Sequence, residues 1–309
     1  MNNKLRAAVV GVGYLGTFHA QKYKNNPHVQ LIGVCDHAPA QADKVASELG
    51  VASIHKVQDL VGQVDLVTVA ANTQSHYEVA KLLLQNNIHV NVEKPITATV
   101  VQGQELVTLA KEKNLTLACG HIERFNPSVL EVKRRLNNPR TIELNRRAPF
   151  KARGADVSVL HDLMIHDFDL LRWLSGSEVE SFHVSGEKII TQEWDVASVS
   201  CLMKNGVHGL INVSRISPTT ERNIRVAQGD QFLFANTGAH EFESVTNSGN
   251  PADPLKSEKW SLAKADALQS ETDAFIQAVI QRSTPVVTGH DGLVALEWIE
   301  KFDQALRAR

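Results

Sequence analysis

The sequence predicts an α/β protein in which a doubly wound parallel-sheet domain is followed by an α+β domain with a mainly antiparallel, open-faced sheet. Three observations carry this prediction. Apolar strand runs alternate with helical patterns over residues 5–120, and the first of these runs ends in the glycine-rich stretch GVGYLG. After about residue 121 the hydrophobic pattern changes to the period of two that is typical of antiparallel strands. We therefore expect two domains, residues 1–121 and 122–309.

In the first domain, the strand candidates are apolar along their whole length, which indicates strands covered on both faces and hence a parallel sheet. They are LRAAVVGVG, VQLIGVCD, VDLVTVAAN, NIHVNVE and LTLACG. The helical patterns between them cover residues 15–25, 39–49, 75–86 and 99–113.

The second domain should begin with a helix at 127–137, a strand at 141–146 and a helix containing LHDLMIHDFDLLRW. Period-2 segments follow: SFHVSGEKII, ASVSCLM, GVHGLINVSRI, ERNIRVAQG, FLFAN and HEFESV. We expect a loop at 247–260 and helices at about 261–282 and 292–307. The alternation leaves one sheet face for helices and one for solvent or another subunit, so a homodimer or homotetramer is expected by analogy.

Composition excludes several classes of partner. The 309 residues carry a net charge of −2 with mixed signs, which favours neither nucleic acid nor an anionic membrane as partner. Apolar runs are too short for a membrane helix, and the N-terminus does not have the pattern of a signal peptide. Three distant cysteines, Cys35, Cys119 and Cys201, lie in apolar runs and indicate buried thiols in a reducing cytoplasm.

The glycine stretch has the spacing G-x-G-x-x-G, formed by Gly11, Gly13 and Gly16. The first glycine allows a tight turn, the second lets backbone approach a pyrophosphate, and the third lets helix pack on strand. The helix that begins near Tyr14 and Leu15 would meet the phosphates with its N–H groups and positive dipole end. This context predicts a dinucleotide site of the Rossmann type.

The second strand ends in Asp36, 20 residues after Gly16, where a carboxylate binds ribose hydroxyls. A carboxylate there repels a 2′-phosphate, and the next residue is His37 rather than an arginine. NAD is therefore favoured over NADP.

The fifth strand ends in Glu93, Lys94 and Pro95, at the edge of the sheet where doubly wound folds bind ligands. Glu93 and Lys94 are thus expected at the cofactor crevice. Lys94 could donate a hydrogen bond to a substrate hydroxyl and stabilise developing alkoxide character. Alternatively it is a surface lysine at a strand end.

The helix containing LHDLMIHDFDLLRW places Asp162, His166 and Asp169 on one side of a regular helix, with Asp167 directed toward the apolar stripe. Three interpretations are open: a metal-binding pair, a solvated face, or an acid–base dyad. We favour the dyad, in which His166 accepts the hydroxyl proton and Asp162 orients its ring. No metal is expected, because no third ligand has a matching spacing.

Taken together, GVGYLG, CD, EKP and the Asp162/His166 helix resemble the Gfo/Idh/MocA family of oxidoreductases over essentially the whole chain. The resemblance implies that Lys94 is catalytic and that the bond before Pro95 is cis. It also implies that the loop AANTQSH brings Asn72, Thr73 and His76 near the nicotinamide.

The stretches GHIERFNP and DLMIHDFDLL resemble the branch that includes UDP-N-acetylglucosamine 3-dehydrogenases, although Met164 stands where many family members have glycine. The resemblance implies oxidation of the 3-hydroxyl of a nucleotide sugar. Cations suited to a diphosphate lie before or near the helix: Arg124, Arg146, Arg147, Lys151 and Arg153, of which Arg124 and Arg153 are our first candidates. Two alternatives remain, an inositol or free-sugar dehydrogenase and a non-catalytic NAD-binding regulatory protein.

Overall fold

The computed structural model describes residues 4–152 and 154–308, which form two compact units. The first unit contains residues up to 122 together with 266–296, and the second contains 123–265 together with the C-terminal residues from 297. The domain boundary predicted from the sequence assigns residues 266–296 to the second domain, whereas in the structure these residues belong to the first unit. The cause is helix α7 (Ala267–Gln281), whose buried Phe275, Ile276 and Val279 join the core of the parallel sheet.

The first unit contains a six-stranded sheet in the order β3-β2-β1-β4-β5-β6, and all of its strand pairs are parallel. This confirms the predicted doubly wound sheet. The strand β3 was not predicted, because three residues are too few to show a period. The strands are β1 (Leu5–Val10), β2 (Val29–Cys35), β3 (Ala52–Ile54), β4 (Leu66–Val69), β5 (His89–Glu93) and β6 (Leu117–Gly120).

Helices α1 to α4 of the first unit lie between these strands, and three helices of the unit begin at residues whose side chains satisfy a free backbone N–H group. Asn72 accepts from the amide of Ser75, Thr99 accepts from that of Gln102, and Asp266, before α7, accepts from that of Gln269. The helices are α1 (Tyr14–Asn25), α2 (Pro39–Leu49), α3 (Thr73–Gln85), α4 (Val100–Glu112) and α7.

The second unit contains an eight-stranded sheet in the order β14-β13-β12-β11-β7-β10-β9-β8. Its pairs are antiparallel except for β7 with β10, so the predicted mainly antiparallel sheet is confirmed. The strands are β7 (Thr141–Arg147), β8 (Val179–Glu187), β9 (Val196–Met203), β10 (His208–Ser214), β11 (Glu221–Gln228), β12 (Gln231–Asn236), β13 (Glu241–Asn247) and β14 (Leu255–Ser261).

Three further helices complete the chain, namely α5 (Pro127–Arg135), α6 (Ile165–Ser175) and α8 (Gly289–Arg307). Short 3₁₀ turns lie at Val57–Leu60 and Ile122–Phe125. Within the described ranges, every helix is too short or too polar to cross a membrane.

The loop predicted at 247–260 is wrong in its second half, because β14 pairs with β13 there. Its sequence LKSEKWS is largely polar, and most of its side chains are exposed. An edge strand held by backbone bonds and carrying charged side chains does not need an apolar pattern, so the sequence gives no signal for it.

Candidate active site

The glycine loop has the geometry that a pyrophosphate requires. Gly11 has φ +84°, and a Cβ on it would lie 2.4 Å from the backbone nitrogen of Ala71. A Cβ on Gly16 would lie 1.8 Å from the carbonyl oxygen of Gly11, so strand and helix touch here. At Gly13 a Cβ would meet nothing within 4 Å, which leaves open space beside the start of α1. These three environments match the roles assigned to the three glycines of the dinucleotide motif.

The N-terminus of α1 differs from those of α3 and α4. Its N-cap residue is Gly13, which has no side chain to accept from the first N–H groups, whereas α3 and α4 are capped by Asn72 and Thr99. A helix end that lacks a side-chain acceptor can direct its N–H groups and positive dipole end toward phosphate oxygens. The chain therefore fits a bound dinucleotide at this position.

Asp36 follows β2 and is held beside the glycine loop. One carboxylate oxygen accepts from the backbone N–H of Val12 at 2.8 Å, and the other accepts from that of Ala38 at 3.0 Å. The Nδ1 atom of the exposed His37 lies 3.0 Å from the same carboxylate. These bonds fix a negative charge next to the loop, where the sequence predicts contact with the ribose hydroxyls.

Lys94 lies immediately after β5, and the Lys94–Pro95 bond is cis, as expected. The next carbonyl group is held by a buried histidine: His76 Nδ1 lies 2.9 Å from the oxygen of Pro95, and His76 Nε2 lies 3.0 Å from the oxygen of Ala71. Burial lowers the pKa of His76, although both carbonyl groups oppose this, so the neutral ring donates to one carbonyl at a time.

His76 thus connects the loop after β4 with the loop after β5. The side-chain oxygen of Asn72 makes only local hydrogen bonds: it accepts from the backbone N–H and the hydroxyl group of Ser75 at 3.1 and 3.0 Å. Thr73 is the first residue of α3. All three residues lie where the predicted nicotinamide loop should be, and their direct contact with the cofactor stays a prediction.

Glu93, the residue before Lys94, has a buried side chain. Its Oε1 lies 2.8 Å from Nε2 of His19 on α1, and its Oε2 accepts from the backbone N–H of Lys94 at 3.3 Å. Glu271 on α7 accepts from the side-chain amide of Asn91 at 3.2 Å. The sequence did not indicate this cluster, whose members come from three distant segments.

Ligand atoms of His19, Glu93 and Glu271 lie within 4.8 Å of one another, so a metal ion has to be considered. Nitrogen and oxygen ligands of a tetrahedral zinc ion are about 3.3 Å apart, given metal–ligand bonds of 2.0–2.1 Å. The 2.8 Å separation of His19 Nε2 and Glu93 Oε1 is shorter and is that of a hydrogen bond. The contact between His19 and Glu93 is therefore that of two groups sharing a proton and not that of two ligands of one zinc ion.

In the second unit, the predicted catalytic helix does not begin as a regular α-helix. Leu160–Met164 form a π-helical turn that leads into α6. Asp162 lies in the π-helical turn, and His166 lies in the first turn of α6. Such turns are rare and occur frequently at functional sites. Asp162 and His166 are half-buried, and the Asp162 carboxylate lies beside the backbone of Gly154.

Asp169 lies three residues after His166 on α6, and its grouping with Asp162 and His166 stays a prediction. Asp169 is buried and accepts from Arg124, with Nε to Oδ2 at 2.9 Å and Nη2 to Oδ1 at 2.6 Å. The Arg124 guanidinium also lies 5.5 Å from the ring centre of Trp173. A substrate phosphate would have to compete with Asp169 for Arg124, whose substrate-binding role stays a prediction.

Arg146 is likewise engaged inside the second unit. Its Nη2 lies 2.8 Å from Oδ1 of Asp167, and its Nη1 lies 2.9 Å from Oε1 of Glu123. All nitrogen positions of this buried guanidinium face carboxylates, so the prediction that Arg146 is available to a diphosphate is wrong. Spacing could not reveal these partners, which are 21 and 23 residues away in the chain.

Two cations of the segment remain accessible in the structure. Arg147 is partly exposed and pairs with Glu221 at 3.1 Å, and Lys151 is exposed. Arg153, which the sequence suggested as a substrate-binding residue, lies outside the described residues.

A cavity of about 750 Å³ also lies in the first unit, and it is lined by residues that include His89, Thr116 and Arg282. His89 begins β5, and Thr116 directly precedes β6. The cavity is therefore at the amino ends of the strands, whereas the glycine loop and Lys94 lie at their carboxyl ends. It does not coincide with the edge that binds the cofactor.

A parallel sheet whose first strand leads through such a glycine loop into α1, with a fixed carboxylate after the second strand, defines an oxidoreductase with an NAD-binding Rossmann domain. The chain belongs to the GFO/IDH/MocA family. The family's NAD-binding Rossmann-fold description matches residues 5–121, and its C-terminal domain description matches residues 128–231. Membership confirms the predicted enzyme class and cofactor.

The chain is 34% identical to a UDP-N-acetylglucosamine 3-dehydrogenase from Acidithiobacillus ferrooxidans, with 89% of this chain and 88% of the relative covered. The solved structure of the dehydrogenase of that name from the same organism matches with a TM-score of 0.93, 32% identity and 99% of both chains covered. A scyllo-inositol 2-dehydrogenase (NAD(+)) from Bacillus subtilis is 26% identical, with 96% of this chain and 92% of the relative covered.

Proposed function

We propose that the chain oxidises the 3-hydroxyl group of UDP-N-acetylglucosamine to a ketone with NAD. The observation that carries this proposal is the 34% identity to the dehydrogenase of that name over 89% of the chain, against 26% for the inositol dehydrogenase. The structural match at a TM-score of 0.93 supports it.

Three side chains would carry the chemistry. Lys94 would donate a hydrogen bond to the reacting hydroxyl oxygen and stabilise negative charge that develops on it. His166 would accept the hydroxyl proton, and Asp162 would orient the ring of His166 and stabilise its protonated form. Bound NAD supplies the hydride acceptor. With these roles assigned, no step of the reaction needs a metal ion.

Recognition of the diphosphate is proposed for the cations that are not enclosed by carboxylates. Arg147 and Lys151 are accessible, and Arg153 belongs to the same segment of sequence. Replacing the residue that binds phosphate by alanine should weaken nucleotide-sugar binding by about 1.5–3 kcal/mol, the usual contribution of a charged hydrogen bond. NAD affinity measured in the same titration should be unchanged, because the glycine loop is in the first unit.

Two further proposals concern the setting of the enzyme. We propose a cytoplasmic location, which the burial of all three cysteines in apolar surroundings supports. We also propose a homodimer or homotetramer formed through the eight-stranded sheet, because polar and apolar residues alternate along strands such as β9. Light scattering on the purified protein tests the second proposal, and a monomer at working concentration contradicts it.

The formation of NADH, followed by absorbance, tests the proposed function. UDP-N-acetylglucosamine should be oxidised with kcat/KM at least tenfold above that for scyllo-inositol, myo-inositol and free N-acetylglucosamine. Faster turnover of an inositol favours the free-polyol alternative. No turnover of any sugar alcohol, with NAD binding intact, favours the non-catalytic regulatory alternative.

A further inference from the structure

The residues before and after Lys94 are each hydrogen-bonded to a buried histidine. His19 on α1 bonds to the side chain of Glu93, and His76 on α3 bonds to the carbonyl oxygen of Pro95. The Glu93 carboxylate also accepts from the backbone N–H of Lys94 itself. The position of Lys94 therefore depends on where the Glu93 carboxylate lies.

The Glu93 carboxylate is closely packed against the neighbouring strand. Gly120 ends the neighbouring strand β6, and a Cβ on it would lie 2.7 Å from Oε2 of Glu93. Glycine thus leaves room for the carboxylate between β5 and β6. A larger residue at 120 would displace Glu93 from His19.

A second carboxylate, that of Glu271, is buried in the same place. Its Oε1 accepts from Asn91, and among the described residues its buried Oε2 has no hydrogen-bond partner. Two carboxylates this close in a low-dielectric interior cannot both ionise without a large cost. One of them must keep a proton, and Glu93 already bonds to His19 and to the backbone N–H of Lys94.

We propose that His19, Glu93 and Glu271 form a buried triad that holds two protons and positions Lys94, with His19 and Glu271 as positioning residues for the reaction. One proton lies in the His19–Glu93 bond, and a second stays on Glu271. Loss of the second proton places two negative charges side by side and pushes Glu93 away from the amide of Lys94. This inference rests on the proposed role of Lys94.

The groups around Glu271 fit this arrangement. The pKa of Glu271 is raised to about 8, mainly by burial and next by the charge of Glu93, while His19 and Asn91 oppose the rise. Burial lowers the pKa of His19, but the bond to Glu93 and the charges of Glu93 and Glu271 together outweigh this, and the net shift is upward. Tyr23, which also faces Glu271 from α1, stays protonated because burial raises its pKa. Glu271 is therefore the member that loses its proton just above neutral pH.

The Glu271→Gln variant tests the triad, because a glutamine side chain has the shape of a protonated glutamate. In the parent enzyme, kcat should fall about tenfold between pH 7 and pH 9, following the protonated fraction of a group whose pKa is near 8. In Glu271→Gln this alkaline fall should disappear while kcat at pH 7 is retained. The KM for the sugar should be similar in both proteins, because the effect is on Lys94 placement.

Asp273→Asn is the matched control. It removes one carboxylate from the same helix, at a half-buried position where Asp273 accepts from Asn26 at 2.7 Å, outside the triad. This variant should keep the alkaline fall. An alkaline fall that persists unchanged in Glu271→Gln overturns the proposal.

A second measurement needs no substrate. The pKa of Glu271 is raised in the folded protein from an ordinary 4.5 to about 8, so its stabilising contribution is complete below 4.5 and is lost as pH rises toward 8. The Tm of the parent should therefore fall relative to that of Glu271→Gln between pH 5 and pH 8. Parallel Tm curves would overturn the protonated state of Glu271.

A failure of the proposed function and a failure of the triad give different results. The pH profiles are measured with whichever sugar alcohol is oxidised, so poor turnover of UDP-N-acetylglucosamine counts against the proposed function alone. The infrared band of a protonated carboxyl group, lost with a midpoint near pH 8 in the parent and lacking in Glu271→Gln, supports the triad without any turnover. Absence of that band in the parent overturns it.

Discussion

The guanidinium group of Arg146 lies against the carboxylate of Asp167, with Nε 3.0 Å from Oδ2 and Nη2 2.8 Å from Oδ1. Arg146 is on β7 and Asp167 is on α6, so the pair connects the sheet of the second unit to the helix that carries His166. Burial alone would lower the pKa of Arg146, but the charges of Asp167 and Glu123 outweigh it and raise the pKa. Burial also raises the pKa of Asp167, although the charge of Arg146 opposes this rise. The contact between the two side chains holds α6 on the sheet.

Replacing Arg146 by Gln should lower the free energy of unfolding by about 3–5 kcal/mol, because it leaves the buried charges of Asp167 and Glu123 without their partner. Arg147→Gln is the matched control on the same strand. Its partner Glu221 is partly exposed, so the loss should be at most about 1 kcal/mol. Urea unfolding of both variants gives the comparison, and equal losses would contradict the structural role of Arg146.

The cofactor prediction depends on Asp36. The parent should bind NADH at least tenfold more tightly than NADPH, because the fixed carboxylate repels a 2′-phosphate. Asp36→Asn should narrow this preference, since an amide keeps an oxygen acceptor for Val12 or Ala38 but removes the charge. Asp36→Ala should narrow it too and also weaken NADH binding, because the glycine loop loses its support. Titration calorimetry with both cofactors decides, and equal affinities in the parent would remove the basis of the assignment.

Asp195 precedes β9 and stabilises a turn in the second unit. Its buried Oδ2 accepts from the backbone N–H groups of Ile189, Ile190 and Thr191 at 2.7, 2.6 and 2.9 Å. Burial would raise the pKa of Asp195, but these three bonds outweigh it and lower the pKa from 3.8 to about 2.

A depressed carboxyl pKa contributes stability that is present above 3.8 and is lost as pH falls toward 2. Asp195→Asn should therefore cost about 2 kcal/mol at pH 7, and this difference from the parent should shrink as pH falls from 4 to 2. The exposed Asp253→Asn should show no comparable change. Urea unfolding across this pH range tests the prediction, and a difference that stays constant with pH would count against it.

The parts of the site that the sequence could predict depend on short stretches of chain. A strand, a G-x-G-x-x-G turn and a helix are adjacent in sequence, so the positions of Gly11, Gly13 and Gly16 follow from local geometry. Lys94 follows from its place at the end of an apolar strand. The fold class could be predicted for the same reason, because most of the strands and helices other than β3 and β14 show a period of their own.

The remaining parts depend on long-range partners or on polar segments. His19 and Glu93 are 74 residues apart, and Asn91 and Glu271 are 180 apart, so no spacing rule could connect them. The exclusion of Arg146 from the diphosphate candidates depends on Asp167, which is buried as the helical pattern predicts but lies 21 residues from Arg146 in the chain. No spacing rule could pair these two residues.

The last prediction concerns the acid–base pair. The protonated form of His166 cannot accept a proton, so kcat/KM for oxidation should rise with pH through one ionisation, before the alkaline fall that is expected from Glu271. His166→Ala should slow turnover by about 10²–10⁴, the usual contribution of general acid–base catalysis, and should leave NADH binding unchanged. Lys94→Ala should be comparably slow because charge on the reacting oxygen is no longer stabilised.

Asp162→Asn should be milder than His166→Ala, because it spoils only the orientation of the His166 ring and the charge that supports its protonated form. The rising limb of kcat/KM should then move to lower pH, since imidazolium is less favoured without that charge. Treatment with a chelator should change neither activity nor this profile. If a chelator abolished activity and zinc restored it, Asp162 and His166 would have to be assigned as metal ligands, and the role of His166 as the base would be wrong.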